Sequence, residues 1–255
     1  MNKHVEFLNK DNRMLRGYIN IPENFNGELI VMFHGFTGNK TEHNGHFRTL
    51  TRMLDPMGIG TLRMDFSGNG ESDGEFLDFT FDTLMNDARL MVEFALGYEG
   101  VKKVDLLGFS MGGAVAGYMS KEYADKINKV VLWSPAGDMV QKIKTRYESY
   151  PKDENENGIN SCWSLSKAMY ETAQQYDLYN GLENFKGKVF IIHGNKDLAV
   201  NYLIGIQYSV IYPDAFIHLV NGAGHGYDKP EDMQELYEKT LSFLGLSKFF
   251  VKNNL

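Results

Sequence analysis

The stretch Val104-Asp105-Leu106-Leu107-Gly108-Phe109-Ser110-Met111-Gly112-Gly113 constrains this chain more than any other. It places G-x-S-x-G directly after a short apolar run and before a segment of helical character. A chain that passes from a buried strand into a helix over so few residues must turn sharply. That turn strains the backbone at Ser110 and pushes its hydroxyl outward, while Gly108 and Gly112 let strand and helix pass closely. The helix N-terminus then directs positive backbone dipole at any oxyanion formed beside the serine.

Other apolar runs repeat the pattern, at 14–21, 29–33, 60–64, 130–133, 189–192 and 216–220. Several are nearly continuous in apolar residues, as in strands covered on both faces of a parallel sheet. Helical segments are expected between them at 43–57, 80–97, 111–124, 201–212 and 230–246, the last opening on Pro230 and acidic residues. This alternation predicts an α/β fold, a mostly parallel central sheet flanked by helices. From Ser134 to Phe185 the rhythm breaks, with a polar loop over 147–160 and a helix over 164–179. Three parts follow: a first core part at 1–133, an inserted lid at 134–185 and a second core part at 186–255. A plain surface excursion is the alternative for the insertion.

A serine hydroxyl needs a base. His225, in Asn221-Gly222-Ala223-Gly224-His225-Gly226, follows the run ending at Val220, at the strand end where ligand sites of open α/β sheets gather. The other histidines fit less well. His4 is near the terminus, and His218 is inside a strand. His34 and His193 precede glycines at tight turns. His43 and His46 have metal-compatible spacing but no further Cys or His nearby, and read as a solvated helix face. The acid that orients the imidazole is Asp197, in His193-Gly194-Asn195-Lys196-Asp197, with Asp138 and Asp228 as rivals. The order Ser, Asp, His suits a nucleophile on a strand–helix turn. Backbone N–H groups of Met111 and of Phe36, in the loop His34-Gly35-Phe36-Thr37-Gly38, are the expected oxyanion donors. This chemistry calls for no metal and no organic cofactor. Asp65 to Gly74 could suggest a phosphate or metal loop, but reads as a structural turn.

Bulk properties narrow the partners. The net charge is -7 over 255 residues, which disfavours a nucleic-acid partner. Cys162 is the only cysteine, so no internal disulfide forms. No run approaches the roughly 18 apolar residues of a membrane span, and the N-terminus lacks signal-peptide character. The expectation is a cytoplasmic protein acting on a small-molecule ester, with a homodimer left open.

The motifs also resemble a known family. H-G-F-T-G at 34–38, D-F-S-G-N-G-E-S-D-G at 65–74, G-F-S-M-G at 108–112, S-P-A at 134–136, H-G-N-K-D at 193–197 and G-A-G-H at 222–225 are similar to α/β-hydrolases. The 34–38 loop, G-x-G-x-S-D-G-x-F at 68–76 and S-P-A-G-D-M at 134–139 resemble bacterial cinnamoyl (feruloyl) esterases more narrowly. Monoacylglycerol lipases and other carboxylesterases share much of the pattern. The resemblance implies an α/β-hydrolase fold with an inserted lid, hydrolysis of hydroxycinnamate esters, a triad at Ser110, Asp197 and His225, and oxyanion donors at Phe36 and Met111. Many relatives carry histidine before the nucleophile and glutamine after it, where this chain has Phe109 and Met111. Six aromatic residues of the insertion, Tyr147, Tyr150, Trp163, Tyr170, Tyr176 and Tyr179, are candidates to line an aromatic-acid pocket or to pack the lid down. A lipase or a non-catalytic ligand-binding protein are the rival functions, and amide hydrolysis is a further option.

Overall fold

The computed structural model describes residues 2–246. Eight strands form one sheet: β1 (Asn2–Leu8), β2 (Met14–Asn20), β3 (Glu28–Phe33), β4 (Gly60–Met64), β5 (Lys103–Phe109), β6 (Ile127–Trp133), β7 (Lys188–Gly194) and β8 (Ala215–Val220). Their spatial order is β1-β2-β4-β3-β5-β6-β7-β8. β1 pairs antiparallel with β2, and β2 antiparallel with β4; every pairing from β4 to β8 is parallel. Seven α-helices accompany the sheet among the described residues: α1 (His46–Leu54), α2 (Phe81–Gly97), α3 (Met111–Glu122), α4 (Met139–Ser149), α5 (Lys167–Ala173), α6 (Tyr202–Ile211) and α7 (Pro230–Phe243).

The central strands are apolar on both sides because both sides are covered. In β3, Leu29, Val31 and Phe33 join a core with residues of α2 and α3, while Ile30 and Met32 join a second core with residues of α1 and α7. In β6, Val130 and Leu132 face the first core, and Val131 and Trp133 the second. The period-two alternation therefore sorts side chains between two helix layers, and the sheet carries the active end of every central strand in one direction.

Four features depart from the sequence reading. β1 was not expected; it is an exposed edge strand with too little apolar surface to announce itself. The helix expected over 43–57 is broken into a 3-10 turn at His43–Gly45, α1, and a second 3-10 turn at Asp55–Met57 containing Pro56. His46 faces the core rather than solvent: it is fully buried, with its ring nitrogens bonded to the Tyr237 hydroxyl and the Gly226 carbonyl. Finally, residues 134–185 hold α4, which the sequence reading left out, and the helix expected over 164–179 shrinks to α5.

One buried carboxyl pair lies at the opposite end of the sheet. Asp105 is fully buried in β5, where Asn128 Nδ2 donates to its Oδ1 at 2.8 Å. Burial and the neighbouring Glu28 push its carboxyl well above the usual carboxylate range. Glu28 Oε1 and Asp105 Oδ2 are buried oxygens without a hydrogen-bond partner; Lys129 Nζ lies 3.7 Å from Glu28 Oε1, and a proton shared between the two carboxyls would satisfy both. A raised folded-state value stabilises the protein below the unfolded value and withdraws that contribution as pH rises. Asp105→Asn supplies a permanent amide donor to Glu28. It should therefore match the wild type in urea unfolding near about pH 4 and exceed it by about 1 kcal/mol near about pH 8.

Candidate active site

Ser110 occupies the turn between β5 and α3 with φ 56° and ψ -117°, a left-sided backbone that a serine adopts only under constraint. Neighbouring bonds hold it in place. Ser110 N–H donates to Trp133 O at 2.9 Å, and the Ser110 carbonyl accepts from Gly113 N at 3.0 Å and Ala136 N at 2.9 Å. The two glycines are steric necessities. A Cβ on Gly108 would lie 1.9 Å from Gly112 O, and one on Gly112 would lie 1.8 Å from Phe33 O.

The Ser110 hydroxyl donates to His225 Nε2 at 2.9 Å. On the other side of the ring, Nδ1 donates to Asp197 Oδ2 at 2.6 Å. Phe109 packs on the imidazole with centroids 4.9 Å apart. Thus the structure brings together the three residues that the sequence singled out from three separate strand ends.

Asp197 is buried and heavily solvated by protein donors. Ala199 N and Val200 N each donate to Oδ1 at 2.8 Å. His193 Nε2 approaches Oδ2 at 3.1 Å, beside the His225 bond. Burial opposes the charge, but hydrogen bonds from His193 and His225, the attraction of the His225 ring and the Val200 N–H outweigh it, so the carboxyl titrates below its usual range. The sequence reading passed over His193 as a turn residue. Its ring is fully buried, and Nε2 also meets Val200 O at 3.0 Å, which makes Nε2 the protonated nitrogen. A histidine that ends a strand four residues before the acid was the available signal, since that spacing returns its ring to the acid's carboxylate.

The rival acids lie elsewhere. Asp228 pairs with His43 Nε2 at 2.6 Å. Asp138 pairs with Lys142 Nζ at 2.8 Å. The segment at 65–74 is a structural turn: buried Asp65 accepts from Lys40 N, Lys40 Nζ and Glu71 N.

Phe36 and Met111 border the same cavity as Ser110 and His225. Among the described residues neither backbone N–H has a partner, as two oxyanion donors require. The loop that presents Phe36 is pinned by Glu42, a residue without any sequence signal, whose carboxylate accepts from Gly35 N at 2.6 Å and His43 N at 2.8 Å. His34 pins it from below. Its Nδ1–H donates to Gly35 O at 2.8 Å, and its Nε2 accepts from Phe66 N at 3.1 Å.

Two cavities flank the Ser110 hydroxyl. One, of about 150 Å³, is walled by apolar Met139, Ile143 and Leu165, with Lys142 and Arg146 at its edge. The other, of about 490 Å³, is polar and includes Asn39, Glu42, His43 and Asp228. None of the six insertion aromatics borders the first cavity. They pack the 134–185 segment instead: Tyr147 stacks on Tyr170 at 4.3 Å, Tyr176 Oη donates to Asp82 at 2.7 Å, and Trp163 contacts Phe76 at 5.3 Å.

Comparison with known proteins agrees with this architecture. Residues 26–152, just under half of the chain, match the family described as serine aminopeptidase, S33. A serine hydrolase-like protein of Danio rerio is 32% identical over 146 residues, 56% of this chain and 41% of that protein. The monoglyceride lipase of Homo sapiens is 34% identical over 109 residues, 42% of this chain and 34% of that protein. The chain thus spans less than half the length of these two curated relatives. Est1E from Butyrivibrio proteoclasticus, solved with bound ferulic acid, shares the fold with a TM-score of 0.84 at 24% identity, covering 94% of this chain and 97% of that one. The sheet order, the strand–helix elbow and these likenesses show that the chain has the α/β-hydrolase fold.

Proposed function

We propose that the protein is a serine carboxylesterase for small acyl or aryl esters, of the cinnamoyl or feruloyl type. The observation that carries this reading is the unbroken hydrogen-bond chain from Ser110 through His225 to Asp197, open to two cavities of different polarity. The likeness to a protein solved with ferulic acid supports the aryl acid, and the apolar cavity is large enough for it: about 150 Å³ accommodates an aromatic ring. In this reading residues 134–185 act as a lid, since α4 and Leu165 wall that cavity.

The mechanism follows from the geometry. Ser110 Oγ attacks the ester carbonyl while its proton passes to His225 Nε2. The carbonyl electron pair moves to oxygen, where the N–H groups of Phe36 and Met111 stabilise it, each donor contributing roughly 10²–10³ in rate. The ester C–O bond then breaks, and the imidazolium returns its proton to the leaving alkoxide. Water, losing a proton to His225, attacks the acyl-enzyme carbonyl; the bond from that carbon to Ser110 Oγ then breaks, the acid leaves and the imidazolium returns the proton to Oγ. Asp197 stays ionised throughout and stabilises the imidazolium.

A lipase reading has one observation in its favour. Trp163 and Ile159 of the 134–185 segment are exposed apolar side chains, of the sort that meet a lipid surface. The two readings separate on a substrate panel of p-nitrophenyl esters of graded chain length, methyl ferulate and a monoacylglycerol. Short and cinnamoyl esters should turn over fastest, and Ser110→Ala should be inactive on all of them. Preference for the monoacylglycerol favours the lipase, and a wild type no better than Ser110→Ala favours a binding protein.

Asp197→Asn should lower kcat by about 10⁴-fold, through loss of the carboxylate that holds the histidine tautomer. Stability gives an independent readout. Because the folded-state value of Asp197 is depressed, its contribution is present above the ordinary carboxylate range and is lost as pH falls through the folded value. Urea unfolding at about pH 7 should show Asp197→Asn destabilised by about 1–3 kcal/mol. The difference should shrink steadily below about pH 4.

A further inference from the structure

The walls of the smaller cavity carry a charge pattern that ester chemistry alone does not use. Among the described residues no aspartate or glutamate borders it, whereas the cavity on the other side of Ser110 includes Glu42 and Asp228. Two cations border it, both from α4, and they differ in one respect. Lys142 is satisfied: its Nζ donates to Asp138 at 3.0 Å and to Ala199 O at 2.6 Å. The Arg146 guanidinium has no hydrogen bond or ion pair among the described residues. Arg146 is exposed, and in a chain of net charge -7 an arginine without a carboxylate partner, at the edge of an apolar cavity, keeps its planar donor fork open both to solvent and to whatever enters.

We infer that Arg146 selects substrates whose acyl half ends in an anionic group, a carboxylate above all, with the apolar part of the acyl chain against Met139, Ile143 and Leu165 and the scissile carbonyl at Ser110. The inference rests on the esterase reading and adds to it the charge and the orientation of the substrate. An anionic acyl group enters on the α4 side, because the opposite cavity would set it against Glu42 and Asp228. The guanidinium sits in the last turn of α4, where a cation also complements the helix dipole. A role confined to the dipole would alter the stability of the helix and leave substrate preference unchanged.

The test compares kcat/KM for methyl 4-carboxycinnamate and methyl 4-nitrocinnamate, in which the neutral nitro group has the shape of the carboxylate. The ratio of the two rates is measured in the wild type, Arg146→Gln and Arg146→Lys, so that the electronic difference between the esters cancels. Arg146→Gln should lower the carboxylate-to-nitro ratio by about fivefold, chiefly through the KM of the carboxylate ester. Arg146→Lys should retain part of the preference, and added salt should reduce the wild-type ratio but not that of Arg146→Gln. An unchanged ratio in Arg146→Gln, with both esters still hydrolysed, overturns the inference and leaves the esterase intact. A wild type that hydrolyses neither ester, and no ester of the wider panel, overturns the esterase reading and the inference with it.

Discussion

The close passage of α3 across the ends of β3 and β5 is the constraint on which the site depends. Gly112 lies so near Phe33 O, and Gly108 so near Gly112 O, that no side chain fits at either position. This contact forces Ser110 into its unusual backbone, a strain of about 1–3 kcal/mol. The strain is offset by bonds reaching Ser110 from β6 and the chain just beyond it, at Trp133 O and Ala136 N. The same contact fixes the end of β3, and therefore the start of the loop carrying Phe36. Nucleophile and oxyanion loop are positioned by one steric event rather than two.

Charge is managed differently at the two ends of the sheet. At the loop end, Asp197 receives four donors and stays ionised despite burial. At the other end, Asp105 has one amide donor and a carboxyl neighbour, so burial prevails and its carboxyl is pushed well above the usual carboxylate range. Both are aspartates in or just after parallel strands. The difference comes from backbone N–H groups. A turn leaves them free to bond a carboxylate, as at Ala199 and Val200, whereas a central strand has already committed its own to the ladder.

The same distinction explains what could be read from the sequence. Continuous apolar runs marked the central strands because both faces of the sheet are covered, and the strand–glycine–serine–glycine–helix order located Ser110. Asp197 and His225 were singled out because each follows such a run at the same sheet end. β1 was missed because, as an exposed edge strand, it has little apolar periodicity. His46 was misplaced because its burial depends on Tyr237 and Gly226, which lie far away in sequence. His193 and Glu42 act through single hydrogen bonds across turns, contacts that leave no periodic trace. The insertion aromatics were left between lining a pocket and packing the segment down, because their burial depends on which face of each short helix meets the core.

α4 separates selectivity from reaction chemistry. Met139, Ile143 and Arg146 are spaced four and three residues apart, so they share one helix face and wall the cavity together. Their helix touches the triad region at a single polar anchor, Lys142 to Ala199 O, beside the N–H that holds Asp197. Side chains on that face can change the size or charge of the cavity without touching β5, β7 or the loop at His225. Ser110, His225 and Asp197 are held by sheet ends and glycine contacts that tolerate little change. Met139, Ile143 and Arg146 stand on a helix outside that framework, where, on the proposed reading, substitution would alter preference and leave the reaction intact.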